Sequence, residues 1–387
     1  TVSTAQEATA ISQGYVAAGA MLGVTIGSAL AWLYTMWYHH RVGEGITREQ
    51  RLNSPPSRSN KAVFRAIMAI AIPITLGSLA TQLTSILDML SLQRCLKLVM
   101  DGDGAQTVRE MYQSQLAAAG VTVSDKILSW LTGNRGTALT YVNIVPNITL
   151  TLGISALPVV TSAWTLKDHK QLKSTVESAL RITMLVALPC GILLSVLAEP
   201  LMYLIYGQAD ISEIVGMLLH TLGIATIFMC LVAPINSILQ AVGRADIPVK
   251  IIIVGGVVKL ILNIVLIMQP AININGSSYS TLICYIVMVV LSLRAVRRVI
   301  GIHLQWSSVV IKPLLASLLC GAAGWGTNWI FEMLLPRRIA SIPACVVAGV
   351  VYLIALIMLK AFTREDILML PKGKKIAEVL EKHGKIG

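Results

Sequence analysis

From Asn143 to Gly207 the chain reads NIVPNITLTLGISALPVVTSAWTLKDHKQLKSTVESALRITMLVALPCGILLSVLAEPLMYLIYG, two long apolar runs separated by a short segment that holds Lys167, Lys170 and Lys173. An apolar run of about 18 or more residues is long enough to cross a hydrocarbon core about 30 Å thick as a helix. Outward from this stretch the same pattern recurs in both directions. Spans are predicted at 14–38, 66–93, 137–164, 180–205, 214–241, 249–268, 277–293, 309–331 and 340–360. The predicted fold class is therefore all-α, a polytopic bundle of about nine transmembrane helices.

Basic residues collect in every second gap between these spans. Short cytoplasmic loops retain Lys and Arg, whereas translocated loops shed them. One set of gaps carries 23 of the 31 basic residues, including the run from Arg41 to Arg65 and the tail from Lys360 to Lys385. The opposite set carries six: Lys97, Arg109, Lys126 and Arg135 in one long loop, with Arg337 and Arg338 in another. The remaining two, Arg94 and Lys259, lie in or at the end of a span. This asymmetry predicts a plasma-membrane protein with a cytoplasmic C-terminus, and an odd number of crossings then puts residue 1 outside.

Composition narrows the function classes. With 55% hydrophobic residues and a mean hydropathy of +0.73, the chain has no room for a large soluble domain. The net charge of +12 is accounted for by the loop asymmetry, with attraction to anionic headgroups as a remainder, so no nucleic-acid partner is expected. Six cysteines lie in or near the apolar spans without a CxxC pair, which reads as reduced packing residues. His39 and His40 sit beside Tyr34, Trp37 and Tyr38 in an interfacial belt rather than a metal site. HExxH, P-loop and GxSxG motifs are missing from the sequence. No cofactor, no metal and no covalent chemistry are expected. The chain opens with Thr1 and reaches its first span almost at once, so a preceding segment is expected.

Local features fill in the organisation. Gly19, Gly23 and Gly27 make a small-residue stripe on the first span. The segment with Ser54, Pro55, Pro56 and Ser57 reads as a linker. In the long outside loop, Val108 to Leu116 and Ile127 to Leu131 are amphipathic and predict short surface helices. The tail beyond Lys360 suits a helix at the inner headgroups. Pro73, Pro146, Pro158, Pro189 and Pro234 lie within spans, either as packing kinks or as breaks that line a cavity.

Polar residues inside the spans are the candidate site. A carboxylate in a span costs about 2.5–3.5 kcal/mol on insertion scales and usually faces a partner or a cavity. Asp88 is such a group, on one face with Thr81 and Ser85; a solvated position near the outer helix end is the alternative. Lys259, one turn before Asn263, needs an anion, and Asp88 is the carboxylate lying well inside a span. Snorkelling of the long lysine stem is the competing account. Asn143, Asn147, Thr151 and Ser155 follow at four-residue steps and predict a hydrated cavity face, to which Asn236 and Gln240 add a shorter pair. His220, alone on an apolar helix, reads as a hydrogen-bonded packing residue.

The segment quoted above, followed in order by INSILQAVGRADIPVK, ININGSSYSTLICYIV and REDILMLPKGKKI, resembles the multidrug/oligosaccharidyl-lipid/polysaccharide exporter superfamily. Within it the chain is similar to polysaccharide-biosynthesis proteins of the stage V sporulation protein B type, which are related to the MurJ lipid II flippases. The resemblance implies fourteen helices, in two six-helix lobes plus a final pair. The nine spans here would be the sixth to the fourteenth, with the rest of the N-terminal lobe as a missing partner. Residues 1–45 would be the last helix of that lobe, 46–65 a cytoplasmic linker, 66–300 the second lobe, and 301–387 the extra pair and tail. The resemblance also implies a sodium site at Asp88, Lys259 with Asn263, and Thr281. Lys259 departs from that pattern, because an ammonium would occupy the ion's place.

The expected function is a flippase, not an enzyme, that moves a polyprenyl-pyrophosphate-linked saccharide between leaflets by alternating access. Its partners would be that lipid-linked oligosaccharide and the membrane lipids. One alternative is a multidrug cation antiporter of the same superfamily, which predicts free acidic residues in a compact cavity. The other is a non-transporting membrane scaffold for envelope or spore assembly, which predicts no continuous polar cavity.

Overall fold

The computed structural model describes residues 2–43, 59–121, 123–301 and 305–359, and among them every regular element is helical. Most of the basic linker, and the tail from residue 360, lie outside the described residues. The chain forms two units, residues 1–66 and 67–387. The first contains α1, Val2–Val42, whose part from Ala18 to Val42 is long and apolar enough to span a membrane.

Helix α2, Asn60–Asp101, runs into the second unit. Two short helices follow, α3 at Gly104–Met111 and α4 at Gln113–Ala118. Next come α5, Ser124–Val142, and α6, Ile144–Thr165, then α7, His169–Val196, and α8, Ala198–Tyr206. The centre of the unit is α9, Ala209–Ala241, flanked by α10, Asp246–Ile267, and α11, Asn275–Ile300. A π-helical turn at Ser307–Ile311 leads into α12, Lys312–Leu334, and α13 closes the described chain at Arg337–Met358. By length and composition the described residues hold eight candidate membrane spans. The second expected span, 66–93, falls within α2.

A helix that is apolar all round must be buried by protein or bathed in lipid, and the two cases separate here. Of the most apolar window in α9, 67% is buried, against 22% in α10, where Ile253, Val257 and Ile261 point outward. Small residues let the backbones around α9 approach closely. A Cβ added to Gly223 would lie 2.6 Å from the Ser195 nitrogen of α7, and one added to Gly191 would lie 2.7 Å from the Gly223 carbonyl oxygen. Beside this crossing Ser195 Oγ donates to the His220 carbonyl oxygen at 2.6 Å, and His220 Nδ1 donates to the Ser195 carbonyl oxygen at 2.9 Å. His220 is thus tied into helix packing. The final pair joins the same unit, with Gly321 and Gly324 of α12 facing Ile192 and Leu193 of α7.

The third predicted span, 137–164, crosses from α5 into α6 at Asn143, where the backbone stays helical, and Ser124–Thr165 together make one candidate span. One expectation needs correction. The long segment from 97 to 136 does contain short helices, but they are packed into a core. Val108, Tyr112, Leu116, Ile127 and Leu131 are buried with Leu92, Leu96, Met202 and Ile214. Their amphipathic faces are covered by protein, because α2, α8 and α9 present a matching apolar surface at that end of the bundle. Arg135, counted as a loop residue in the charge census, therefore lies inside α5 and is buried.

Candidate functional site

Three helices bring charge together in the apolar interior of the second unit. On α2, Thr81, Ser85 and Asp88 lie at successive turns of one face. The hydroxyls of Thr81 and Ser85 donate to the carbonyl oxygens of Gly77 and Thr81, which satisfies them within the helix. Asp88 is only 7% exposed. Its Oδ2 lies 3.0 Å from Lys259 Nζ of α10 and 2.7 Å from Arg135 Nη2 of α5. Its Oδ1 accepts from Asn263 Nδ2 at 2.8 Å, and the same amide donates to Ser91 Oγ at 3.0 Å. Asn263 is presented beside Lys259 because residues four apart share a helix face.

The network continues into α11. Arg135 Nε donates to Ser277 Oγ, and Ser280 Oγ donates to Asn263 Oδ1. Thr281, which the resemblance assigns to a sodium site, is buried, but its hydroxyl donates 2.8 Å to the Ser277 carbonyl oxygen of its own helix. Asp88, Arg135, Asn263, Ser277, Ser280 and Thr281 are each more than nine-tenths buried, and the side chain of Lys259 is 13% exposed. Leaving a buried charge unpaired is costly, which explains why both carboxylate oxygens are satisfied, Oδ2 by two cations and Oδ1 by the Asn263 amide. One carboxylate faces two cations, so the cluster carries a formal charge of +1.

Arg135, Ser91, Ser277 and Ser280 belong to the site and were not singled out from the sequence. A signal for Arg135 was present, however. Ile127, Leu131, Arg135, Ala138 and Val142 recur at helical spacing and are all buried on one face of α5. A basic residue in step with an apolar stripe is more informative than its place in a loop census.

Next to the cluster is a cavity of about 770 Å³ between α2, α6, α9, α10 and α11. Thr81, Ser85, Asn143, Asn236 and Gln240 line it, and so does Lys259, the one charged lining residue among the described residues. Of the predicted polar stripe, only Asn143 reaches this wall. Asn147, Thr151 and Ser155 are exposed on the adjoining face of α6, while Pro146, Leu150, Ile154 and Leu157 make the cavity lining. The backbone at Asn143 stays helical, its N–H donating to the Leu139 carbonyl oxygen and its own carbonyl oxygen accepting from Asn147. Steps of four residues drift by about 40° each around a 3.6-residue turn, so Asn147, Thr151 and Ser155 rotate away from the wall that Asn143 shares with Leu150 and Ile154.

Comparisons with known proteins agree on one group. The profile of the family described as Lipid II flippase MurJ matches residues 143–363, more than half of the chain. The Lipid II flippase MurJ of Bacillus subtilis is 21% identical over 89% of this chain and 60% of its own length. The stage V sporulation protein B of the same organism is 20% identical over 92% of this chain and 64% of its own length. The chain thus spans somewhat under two thirds of these relatives. A solved structure of Lipid II flippase MurJ in an inward closed conformation superposes with a TM-score of 0.52 at 15% identity, covering 80% of this chain and 57% of that one. That likeness concerns the fold.

Proposed function

This chain belongs to the Lipid II flippase MurJ family, and from that premise we propose that it is part of a membrane flippase whose substrate is a polyprenyl-pyrophosphate-linked saccharide. Members of this family are transporters, so the work to be explained is recognition and passage rather than bond-breaking. The observation that carries the proposal is the cavity beside the charge cluster. Its polar wall is made of hydroxyls and amides, and its charged group is an ammonium. A pyrophosphate head entering from lipid must exchange its hydration for donors, and Lys259 with the amides of Asn236 and Gln240 supplies them. The surplus positive charge of the Asp88, Arg135 and Lys259 cluster favours an anion in a low-dielectric setting. Residues 66–300 would then form one lobe of an alternating-access pair, with the cavity facing the other lobe.

The multidrug-cation reading fares worse, because Asp88 is held by two internal cations and no carboxylate is among the described residues that line the cavity. For the same reason Asp88 is not available to bind sodium in this arrangement. Binding to the detergent-solubilised protein separates the readings. A polyprenyl-pyrophosphate-linked disaccharide should bind saturably and lose affinity in Lys259→Gln, while the lipophilic cation tetraphenylphosphonium should not compete. Competition by that cation, with no binding of the pyrophosphate lipid, would favour an antiporter instead.

A further inference from the structure

A second cavity, of about 790 Å³, opens at the end of the bundle where α9 and α11 finish and α10 begins. Its mouth carries Arg244, Lys250, Arg294 and Arg298. One carboxylate stands near them: Asp246 accepts from Arg244 Nε at 3.1 Å and from Lys250 Nζ at 3.3 Å. Arg294 and Arg298, one turn apart on α11, have no ion-pair partner among the described residues. Half-buried Trp164, in the last turn of α6, stands at the same rim, as tryptophans do at a membrane interface.

Below the mouth the chemistry changes within one turn. Ile251 and Val254 of α10 face Leu291 of α11, an apolar wall leading from the basic rim toward the middle of the spans. A cleft with four cations at the top and an aliphatic wall beneath matches a molecule with a phosphate head and hydrocarbon tails. We propose that this groove is a binding site for an anionic phospholipid, with the phosphodiester on Arg294 and Arg298 and an acyl chain along Ile251 and Val254. A free phosphate would use the arginines but gain nothing from the aliphatic wall, and a protein partner would have to displace lipid from it. The inference needs only that these helices span a membrane and is independent of the substrate proposed above.

The test adds dioleoylphosphatidylglycerol, dioleoylphosphatidylcholine or inorganic phosphate to the detergent-solubilised protein and follows bound lipid by native mass spectrometry and unfolding by temperature. The glycerol lipid should bind and raise the unfolding temperature, and the choline lipid and inorganic phosphate should not. In the Arg294→Gln, Arg298→Gln variant its affinity should fall at least about tenfold, since each basic residue near an anionic headgroup contributes about a factor of five. The Lys167→Gln, Lys170→Gln variant removes the same charge at the same end outside the groove and should keep most of the affinity. If the double arginine variant is poorly folded in the choline lipid, the single Arg298→Gln is read in its place. Equal losses in both lysine and arginine variants would reduce the effect to diffuse surface charge and overturn the site. A response to inorganic phosphate matching that to the glycerol lipid would overturn the phospholipid assignment.

Discussion

At the scale of single residues, Asp88 has two cationic partners rather than one, and this changes what substitution should do. Removing one partner of a buried ion pair typically costs about 3–5 kcal/mol because the other charge is stranded. Asp88→Asn strands both Lys259 and Arg135 and should therefore be the most damaging change in the cluster. In Lys259→Ala the carboxylate keeps Arg135 at 2.7 Å and Asn263 at 2.8 Å. Its loss should be nearer about 1.5–3 kcal/mol, the range for a hydrogen bond to a charged group. Thermal unfolding of the three proteins in one detergent checks the order, and equal destabilisation by both variants would contradict it. Lys259→Asn should not create sodium-dependent stability by itself, because Arg135 still occupies the carboxylate. The meeting of Asp88 with Lys259 was legible in the sequence, since a lysine deep in a span needs an anion and few were on offer. The third partner was missed, because the segment holding Arg135 is polar on its other faces and only its step with Ile127, Leu131, Ala138 and Val142 pointed inward.

Among the helices, the crossing of α7 and α9 depends on the lack of side chains at Gly191 and Gly223. Gly223→Ala places a methyl group 2.6 Å from a backbone nitrogen, and backbone cannot move aside as a flexible side chain can. Overpacking of this kind typically costs about 1–3 kcal/mol. Gly326→Ala in α12 meets nothing within 4 Å and should be neutral or mildly stabilising through its higher helix propensity. The pair of unfolding temperatures checks this, and a Gly223→Ala protein as stable as Gly326→Ala would show that the crossing tolerates separation. Long apolar helices were readable from length alone, because a hydrocarbon core imposes the same minimum on all of them. The junction of α5 and α6 at Asn143 was hidden, since a change of element inside an apolar run leaves hydropathy unchanged. The stripe Asn147, Thr151 and Ser155 looked continuous with Asn143, yet each four-residue step turns about 40° around the helix and carries the later members off the wall that Asn143 shares with Leu150 and Ile154.

For the whole molecule, the charge asymmetry makes a topological prediction that moving Arg135 into α5 leaves intact. The linker near Ser57 and the tail beyond Lys372 should both face the cytoplasm. Reporter fusions at the two positions should be active only as cytoplasmic fusions, and an external signal from either would invert the bundle. The broad class was legible because membrane insertion writes itself into spacing and loop charge. What is carried was not, because it depends on which side chains meet across helices far apart in sequence. The account stands on the claim that the protein moves an anionic lipid-linked saccharide past Lys259. Proteoliposomes holding a fluorescent polyprenyl-pyrophosphate disaccharide, with an impermeant quencher outside, measure that passage directly. The protein should bring the internal pool to the outer leaflet far faster than protein-free vesicles do, and Lys259→Gln should slow it at least about tenfold, as expected for losing one charge-assisted contact. A translocation rate equal to that of empty vesicles, or one unchanged by Lys259→Gln, would contradict the account.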